Sequence, residues 1–288
     1  MGVDMRTILP AHFPHRLREI PDPPKQLYLE GTLPSEEHKW LCVVGSRKYS
    51  NYGKQVVLKL IEGLVGYPVV VVSGLALGID ALAHRAALSA KLPCVAVPGS
   101  GLDRSVLHPP SNRPLADEIL KAGGALLSEF PPTFPASLWG FPQRNRIMAG
   151  LSDAVLIIEA EQKSGTLITS KLATEYNRDV FTVPGSIFSS TSEGPHMLLR
   201  LGATPITSTD DLLQALGFDI TTRSAPNAQR YDDCTEEERK IIGLLHEPKS
   251  REDLLEEVAL PTSRTNAVLS LLEIKGLIKE SAGEIRLT

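Results

Sequence analysis

Hallmarks of secreted, membrane-spanning and metal-dependent proteins are missing from this sequence of 288 residues. Its 3 cysteines, Cys42, Cys94 and Cys234, form neither a CxxC pair nor an even-numbered framework, so no disulfide scaffold or zinc ribbon is indicated. The longest apolar runs, such as Val69–Val72, are far too short to cross a bilayer. The N-terminus also lacks the apolar core of a secretory signal. We therefore expect a cytoplasmic protein without a metal site or a membrane association.

Signatures of common enzyme classes are absent as well. The sequence has no GxxxxGK[ST] loop of ATPases, no GxGxxG dinucleotide fingerprint, no HExxH zinc motif and no GxSxG nucleophile elbow. Asp80 and His84 stand in the stretch SGLALGIDALAH. Their pattern favours an acidic partner of a helix N-terminus and a packed side chain over a catalytic base and a metal ligand. We therefore expect a protein that is not an enzyme and that needs no cofactor.

Positive charge is scarce overall, since the formal net charge is −4. The charge is unevenly distributed: residues 232–288 carry 13 acidic against 8 basic side chains, which leaves residues 1–231 at +1. Nucleic-acid binding would therefore require a local basic patch in the larger segment, and the acidic tail is a poor candidate for it.

Apolar runs alternate with amphipathic helical patterns between Trp40 and Phe218. The runs are rich in Val, Ile, Leu and Ala and nearly continuous, which is typical of parallel strands covered by helices on both faces. We predict an α/β fold, an extended Rossmann-like and mostly parallel sheet with helices on both faces. The predicted strands are Trp40–Val44, Val69–Ser73, Cys94–Val97, Ala125–Ser128, Ala154–Glu159 and Val180–Val183, and the predicted helices are Gly53–Val65, Ile79–Ala90, Asn112–Ala122, Arg144–Leu151 and Leu167–Tyr176.

The remaining segments predict a four-part organisation. A proline-rich extension with little core of its own precedes the sheet, and a polar, breaker-rich stretch follows it. Near the C-terminus, Thr235 and Glu238 form a capping box before three helical patterns and a hairpin, an order typical of a small winged-helix domain. The predicted parts are a packing extension 1–39, a Rossmann-like domain 40–220, a linker 221–234 and a winged-helix domain 235–288.

Glycine-rich loops follow the predicted strands. They read GSR after the first strand, SGLALG after the second and PGSG after the third, and SGT follows Glu159. Because the carboxyl ends of parallel strands share one sheet edge, these loops are expected to lie together. Glycine lets backbone N–H groups turn toward an anion, and each following helix adds its positive dipole end. Four such loops predict a phosphate-bearing ligand, although any single one is explained equally well as a tight turn.

Basic and aromatic side chains accompany these loops. Arg47 is the last residue of the first loop, GSR, and Lys163 directly precedes SGT. Arg144 and Arg146 stand at a predicted helix start, where their positive charges interact unfavourably with the helix dipole. An anionic ligand would account for them, since arginine marks phosphate sites. The alternative is that Arg144 and Arg146 pair with Glu159 or Glu161. Nearby aromatic residues, Phe141 above all, are what unpaired bases need for stacking.

At these loops the sequence resembles a known family. The motifs VVGSRKYSNYG, SGLALGIDALAH, VPGSGLD, SEFPP, FPQRNRIMAGLSDAVLIIEA, KSGTLITSKLA and FTVPGS stand in the order seen in the DNA-processing protein A family, also called DprA or Smf. The resemblance covers roughly Leu9 to Leu216. Many members carry an additional N-terminal helical module of the sterile-alpha-motif type, which we do not expect within the 39 residues before Trp40.

The resemblance implies a non-catalytic protein that binds single-stranded DNA, protects incoming DNA in natural transformation and loads the RecA recombinase. It also implies a homodimer formed through the Rossmann-like domain. By similarity, the nucleic-acid-binding residues are expected to be Gly45, Ser46, Arg47, Phe141, Arg144, Asn145, Arg146, Lys163, Ser164 and Gly165.

Two other functions stay open from the residues alone. A nucleoside-monophosphate phosphoribohydrolase would use a similar sheet but a PGGxGTxxE motif, and SGTLITSKLATE (Ser164–Glu175) lacks the PGG. A winged-helix transcription regulator would require sequence-specific duplex binding, which the acidic tail disfavours.

Overall fold

A computed structural model describes residues 5–220, 234–245, 249–281 and 283–287. The chain divides into two compact units, Met1–Ile220 and Thr221–Thr288. The stretch that we predicted as a linker lies, except for its last residue, outside the described residues. Within the described ranges, no helix combines the length and the apolarity that crossing a membrane requires.

One mixed sheet organises the larger unit. Over residues 5–220 the structure shows nine strands in the order β1-β2-β6-β5-β4-β3-β7-β8-β9. All neighbours from β6 to β9 pair in parallel, whereas β1 and β2 add an antiparallel edge. The predicted, mostly parallel α/β fold is confirmed. The strands are β1 (Arg6–Ile8), β2 (Leu27–Gly31), β3 (Lys39–Val44), β4 (Val69–Ser73), β5 (Cys94–Ala96), β6 (Ala125–Ser128), β7 (Ala154–Ile157), β8 (Asp179–Thr182) and β9 (Thr204–Pro205).

Helices cover both faces of this sheet. Alternate residues of β3 face opposite sides, so Leu41 packs into one core and Cys42 into the other. The first core is completed by α2, α3, α4 and α8, and the second by α1, α5, α6 and α7. The helices are α1 (His15–Arg18), α2 (Asn51–Glu62), α3 (Ile79–Ser89), α4 (Arg113–Lys121), α5 (Gly140–Leu151), α6 (Thr166–Glu175), α7 (Glu193–Arg200) and α8 (Thr209–Ala215).

The N-terminal segment contributes more structure than its proline content suggests. It forms β1, α1 and β2, and β2 pairs antiparallel with β6, so that Leu29 lies opposite Leu127. Leu17 of α1 and Leu27 of β2 are fully buried in the second core. These apolar residues are thus buried against the sheet rather than in a separate core, because strand pairing gives them a buried face.

The C-terminal unit contains three helices and a three-stranded antiparallel sheet among its described residues. Thr235 and Glu238 form the predicted capping box, with the Thr235 N–H donating to the Glu238 carboxylate at 2.7 Å. The winged-helix assignment stays a prediction. Its elements are α9 (Glu236–Leu244), β10 (Lys249–Ser250), α10 (Arg251–Glu257), α11 (Thr262–Ile274), β11 (Ile278–Ser281) and β12 (Glu284–Leu287), and the sheet order is β10-β12-β11.

Candidate functional site

A cavity of about 430 Å³ opens at the carboxyl edge of the parallel strands. The β3–α2 loop forms one wall, helix α5 the second and the β7–α6 loop the third. Nine of the ten residues predicted for nucleic-acid binding line it, and Arg146 does not. The nine are Gly45, Ser46, Arg47, Phe141, Arg144, Asn145, Lys163, Ser164 and Gly165.

The loops around the cavity hold one another in place. The Thr166 hydroxyl donates to the Gly45 carbonyl at 3.2 Å, which joins the β7–α6 loop to the β3–α2 loop. The Asn145 amide donates to the Gly165 carbonyl at 3.3 Å, which ties the same loop to helix α5. The cavity walls are therefore connected to one another by hydrogen bonds.

Glycine is required at two positions where these elements approach closely. A Cβ on Gly78, whose φ is +87°, would lie 2.2 Å from the Ser46 carbonyl oxygen. A Cβ on Gly99 would lie 2.5 Å from the Phe141 ring. These two glycines thus serve close packing between segments. The loops after β3 and β7 contribute glycines to the cavity lining, whereas the loop after β4 contributes only Ala76 and the PGSG loop after β5 contributes no residue.

Exposed positive charge lies at the rim of the cavity. Arg47, Lys48 and Lys163 are exposed, and none of them pairs with an acidic side chain in the part of the chain that the structure describes. The Arg47 guanidinium lies 5.3 Å from the centre of the Phe141 ring, within cation–π range. Residue Lys48 was not predicted, although it directly follows Arg47 in the same loop.

Arg144 and Asp80 are two buried side chains of opposite charge at the base of the cavity. Arg144 is 5% exposed and donates to the Val97 carbonyl, and the Asp80 carboxylate accepts from the Gly74 N–H at 3.1 Å. Burial lowers the pKa of Arg144, while the negative charge of Asp80 opposes that shift. Burial likewise raises the pKa of Asp80, and Arg144 opposes it. Arg144 reaches the cavity from below, and its charge is partly compensated there.

Arg146 occupies a different environment from Arg144. It forms an ion pair with Glu129, donates to the Asp22 carbonyl and lies 3.7 Å from the Asp22 carboxylate. Residues two apart on a helix point to different faces, so Arg144 and Arg146 do not share one wall. The expectation that Arg146 lines the site is corrected accordingly, and its partners are neither Glu159 nor Glu161.

The start of helix α5 also differs from the prediction. The helix begins at Gly140 rather than at Arg144. Pro142 lies within the first turn of this helix, where proline is tolerated. Arg144 therefore does not stand at the start of the helix, as predicted, but lies buried within it near the oppositely charged Asp80.

The residues considered for catalytic chemistry have structural roles. Cys42 and Cys94 are buried, and burial raises the pKa of Cys94 to about 12. Glu175, the glutamate of the alternative enzyme motif, ends helix α6 and lies 3.8 Å from Lys171 instead of lining the cavity. No group of three or more His, Cys, Asp or Glu suited to a metal occurs among the described residues.

Comparisons with known proteins converge on one family. The model described as DNA recombination-mediator protein A matches residues 4–217. DNA processing protein DprA of Streptococcus pneumoniae is 43% identical over 212 residues, 74% of this chain and 74% of that protein. Protein Smf of Escherichia coli is 42% identical over 208 residues, 72% of this chain but 55% of that protein, so the match spans about half the length of this relative.

Two solved structures of DNA processing protein A are similar to this chain. The crystal structure of DNA processing protein A from Streptococcus pneumoniae matches with a TM-score of 0.68 and 39% identity, over 75% of either chain. DNA processing protein A from Helicobacter pylori matches with a TM-score of 0.64 and 29% identity, over 74% of this chain and 95% of that one. The Helicobacter pylori structure is described as revealing a unique single-stranded DNA binding mode.

Proposed function

The chain belongs to the DNA recombination-mediator protein A family, and we propose that it binds single-stranded DNA in the cavity at the carboxyl edge of its parallel sheet. One observation carries the proposal: nine predicted residues from three separate segments line a single open cavity whose rim carries exposed cations. The described binding mode of the Helicobacter pylori relative supports the same ligand class.

Phosphates and bases are recognised by different groups in this proposal. The exposed cations Arg47, Lys48 and Lys163 attract the phosphodiester backbone, and loop N–H groups donate to its oxygens. A base stacks on Phe141 or on the guanidinium of Arg47, which already lies over that ring. Neither contact reads a base edge, so binding tolerates many sequences.

The role in the cell follows from the family. We propose that the protein is a non-catalytic mediator in the cytoplasm that protects incoming single strands during transformation and delivers them to a RecA-type recombinase. The family description as a recombination mediator supports this role. We also propose a homodimer formed through the Rossmann-like unit.

Substitution of Arg47 tests the binding site. Arg47→Ala removes a phosphate or stacking contact worth about 1–3 kcal/mol, so an oligothymidylate should bind roughly 5- to 150-fold more weakly in a gel-shift titration. Arg85→Ala, an exposed arginine on α3 outside the cavity, serves as the matched control. Binding by Arg47→Ala as tight as wild type would refute the assignment.

A further inference from the structure

The loop after strand β8 presents two apolar side chains to solvent. Ile187 is 81% exposed and Phe188 is 93% exposed, and no large apolar side chain among those the structure describes is more exposed than Phe188. A single exposed apolar residue is ordinary, but an adjacent pair on one short loop is a candidate contact surface.

This loop has a defined conformation. The Phe188 N–H donates to the Ser186 hydroxyl at 3.2 Å, and the Ser189 N–H donates to the Ser186 carbonyl at 3.1 Å. The Ser189 and Thr191 hydroxyls lie 2.9 Å apart. Phe188 is therefore carried on a turn that is hydrogen-bonded on both sides of it, and the surface it offers is preorganised.

The loop is anchored to the segment that carries the cationic rim. Buried Glu159 accepts from the Ser50 N–H at 2.9 Å and from the Thr191 hydroxyl at 3.1 Å. The Tyr52 hydroxyl donates to the Pro184 carbonyl at 2.6 Å. Because Ser50 follows Lys48 by two residues, one carboxylate joins the rim of the cavity to the loop of Phe188.

A second cavity of about 460 Å³ lies between these two segments. Both cavities are lined in part by the segment between β3 and α2. Strand β8, which precedes the loop of Phe188, is the second neighbour of β3 in the sheet, so the two strands lie about 10 Å apart. Its lining is rich in hydroxyl groups, which suit sugar and phosphate oxygens better than an apolar peptide. The lining residues are Ser50, Tyr52, Glu159, Pro184, Gly185, Ser186, Ser189 and Ser192.

We propose that a single strand leaving the cationic cavity continues over the second cavity and stacks a base on Phe188. Tyr49, in the same loop as Arg47, is a further exposed aromatic side chain next to Ser50. The continuity of the surface with the cationic rim selects a nucleic acid as the occupant over a protein partner. The inference rests on the proposed function and adds to it a second base-binding subsite.

Oligonucleotide length separates the two subsites. We expect Phe188→Leu to bind a short oligothymidylate, of about 4 nucleotides, as wild type does, because the first cavity holds it alone. A longer oligothymidylate, of about 16 nucleotides, should bind to Phe188→Leu roughly tenfold more weakly than to wild type, since base–aromatic stacking is lost. Phe188→Tyr keeps a ring and should restore the affinity. Val65 is an exposed apolar residue that follows α2, at the opposite edge of the sheet. As a control, Val65→Ala should change the affinity for neither oligonucleotide.

Each other outcome has a distinct meaning. Unchanged binding of the long oligonucleotide by Phe188→Leu overturns the subsite. Equal weakening for both lengths also overturns it, because Phe188 would then act through the first cavity. A lower mass in light scattering with unchanged DNA binding would assign the loop to self-association instead. Failure of wild type to bind either length would contradict the proposed function, and is recognised without any Phe188 variant.

Discussion

The guanidinium of Arg144 lies directly on the backbone of Gly74. A Cβ on Gly74 would stand 1.6 Å from the Arg144 Nη1 atom, closer than any non-bonded contact permits. The glycine that follows strand β4 is therefore needed for the position of a buried arginine on α5. This relationship links two segments 70 residues apart in the sequence, and it supports the floor of the cavity.

Gly74→Ala should consequently displace Arg144. Overpacking of this kind costs about 1–3 kcal/mol, so we expect a lower free energy of unfolding together with weaker oligothymidylate binding. Gly165→Ala is the matched control for stability, because nothing lies within 4 Å of its added Cβ. A Gly74→Ala variant with the free energy of unfolding and the oligothymidylate affinity of wild type would contradict this packing relationship.

His84 should make stability depend on pH. It is fully buried, and burial lowers its pKa from 6.5 to about 4, with the positive charge of Arg144 acting in the same direction. Between these pH values the unfolded chain binds a proton at His84 that the folded protein does not. The free energy of unfolding should therefore fall by up to about 3 kcal/mol as the pH drops from 6.5 to 4.

The variant His84→Leu isolates this contribution. Denaturant unfolding of both proteins across this pH range measures the difference between their free energies of unfolding. The titration of other groups, Asp80 included, largely cancels in this difference. We expect the wild type to lose stability relative to the variant as the pH falls. A difference that is independent of pH would show that His84 is not held neutral by the fold.

Lys163 should act as a simple phosphate contact. Lys163→Ala removes one exposed cation of the rim, so the slope of log affinity against log salt should decrease in magnitude by about 0.7 for a single strand. Lys171→Ala is its control, since Lys171 is 79% exposed on α6 outside the cavity and lies 3.8 Å from Glu175. Equal slopes for wild type and Lys163→Ala would place Lys163 outside the DNA path.

Arg146 should behave in the opposite way. Arg146→Ala breaks a largely buried ion pair with Glu129, so the free energy of unfolding should fall by about 3 kcal/mol. Because Arg146 lies outside the cavity, the affinity of the folded variant for a short oligothymidylate should match that of wild type. A selective loss of affinity with full stability would reverse this assignment.

Local sequence patterns were sufficient for the central strands. Strands β4 (Val69–Ser73) and β6 (Ala125–Ser128) have the predicted bounds, because their apolar runs end at polar or glycine residues. Strand β2 was missed, since its burial depends on antiparallel pairing with β6, nearly a hundred residues later in the chain. Long-range pairing of this kind leaves no local signal beyond the alternating Leu27 and Leu29.

The meeting of the loops at one sheet edge was predicted better than the environment of each side chain. Glycine loops after parallel strands must meet at one edge, and this rule alone brings Arg47, Lys163 and the end of β7 together. The separate environments of Arg144 and Arg146 could not be predicted, because they depend on which helix face meets the sheet and on the partners Asp80 and Glu129. Exposure of Phe188 is likewise a property of the folded loop.

The proposed ligand of the cationic cavity is a single strand of DNA. Salt titrations of one oligonucleotide, presented as a single strand and as a duplex, test this assignment most directly. We expect the single strand to bind more tightly at every salt concentration, with affinity falling steeply as salt rises because counterions are released. Equal or tighter binding of the duplex, or an affinity that does not depend on salt, would contradict the account.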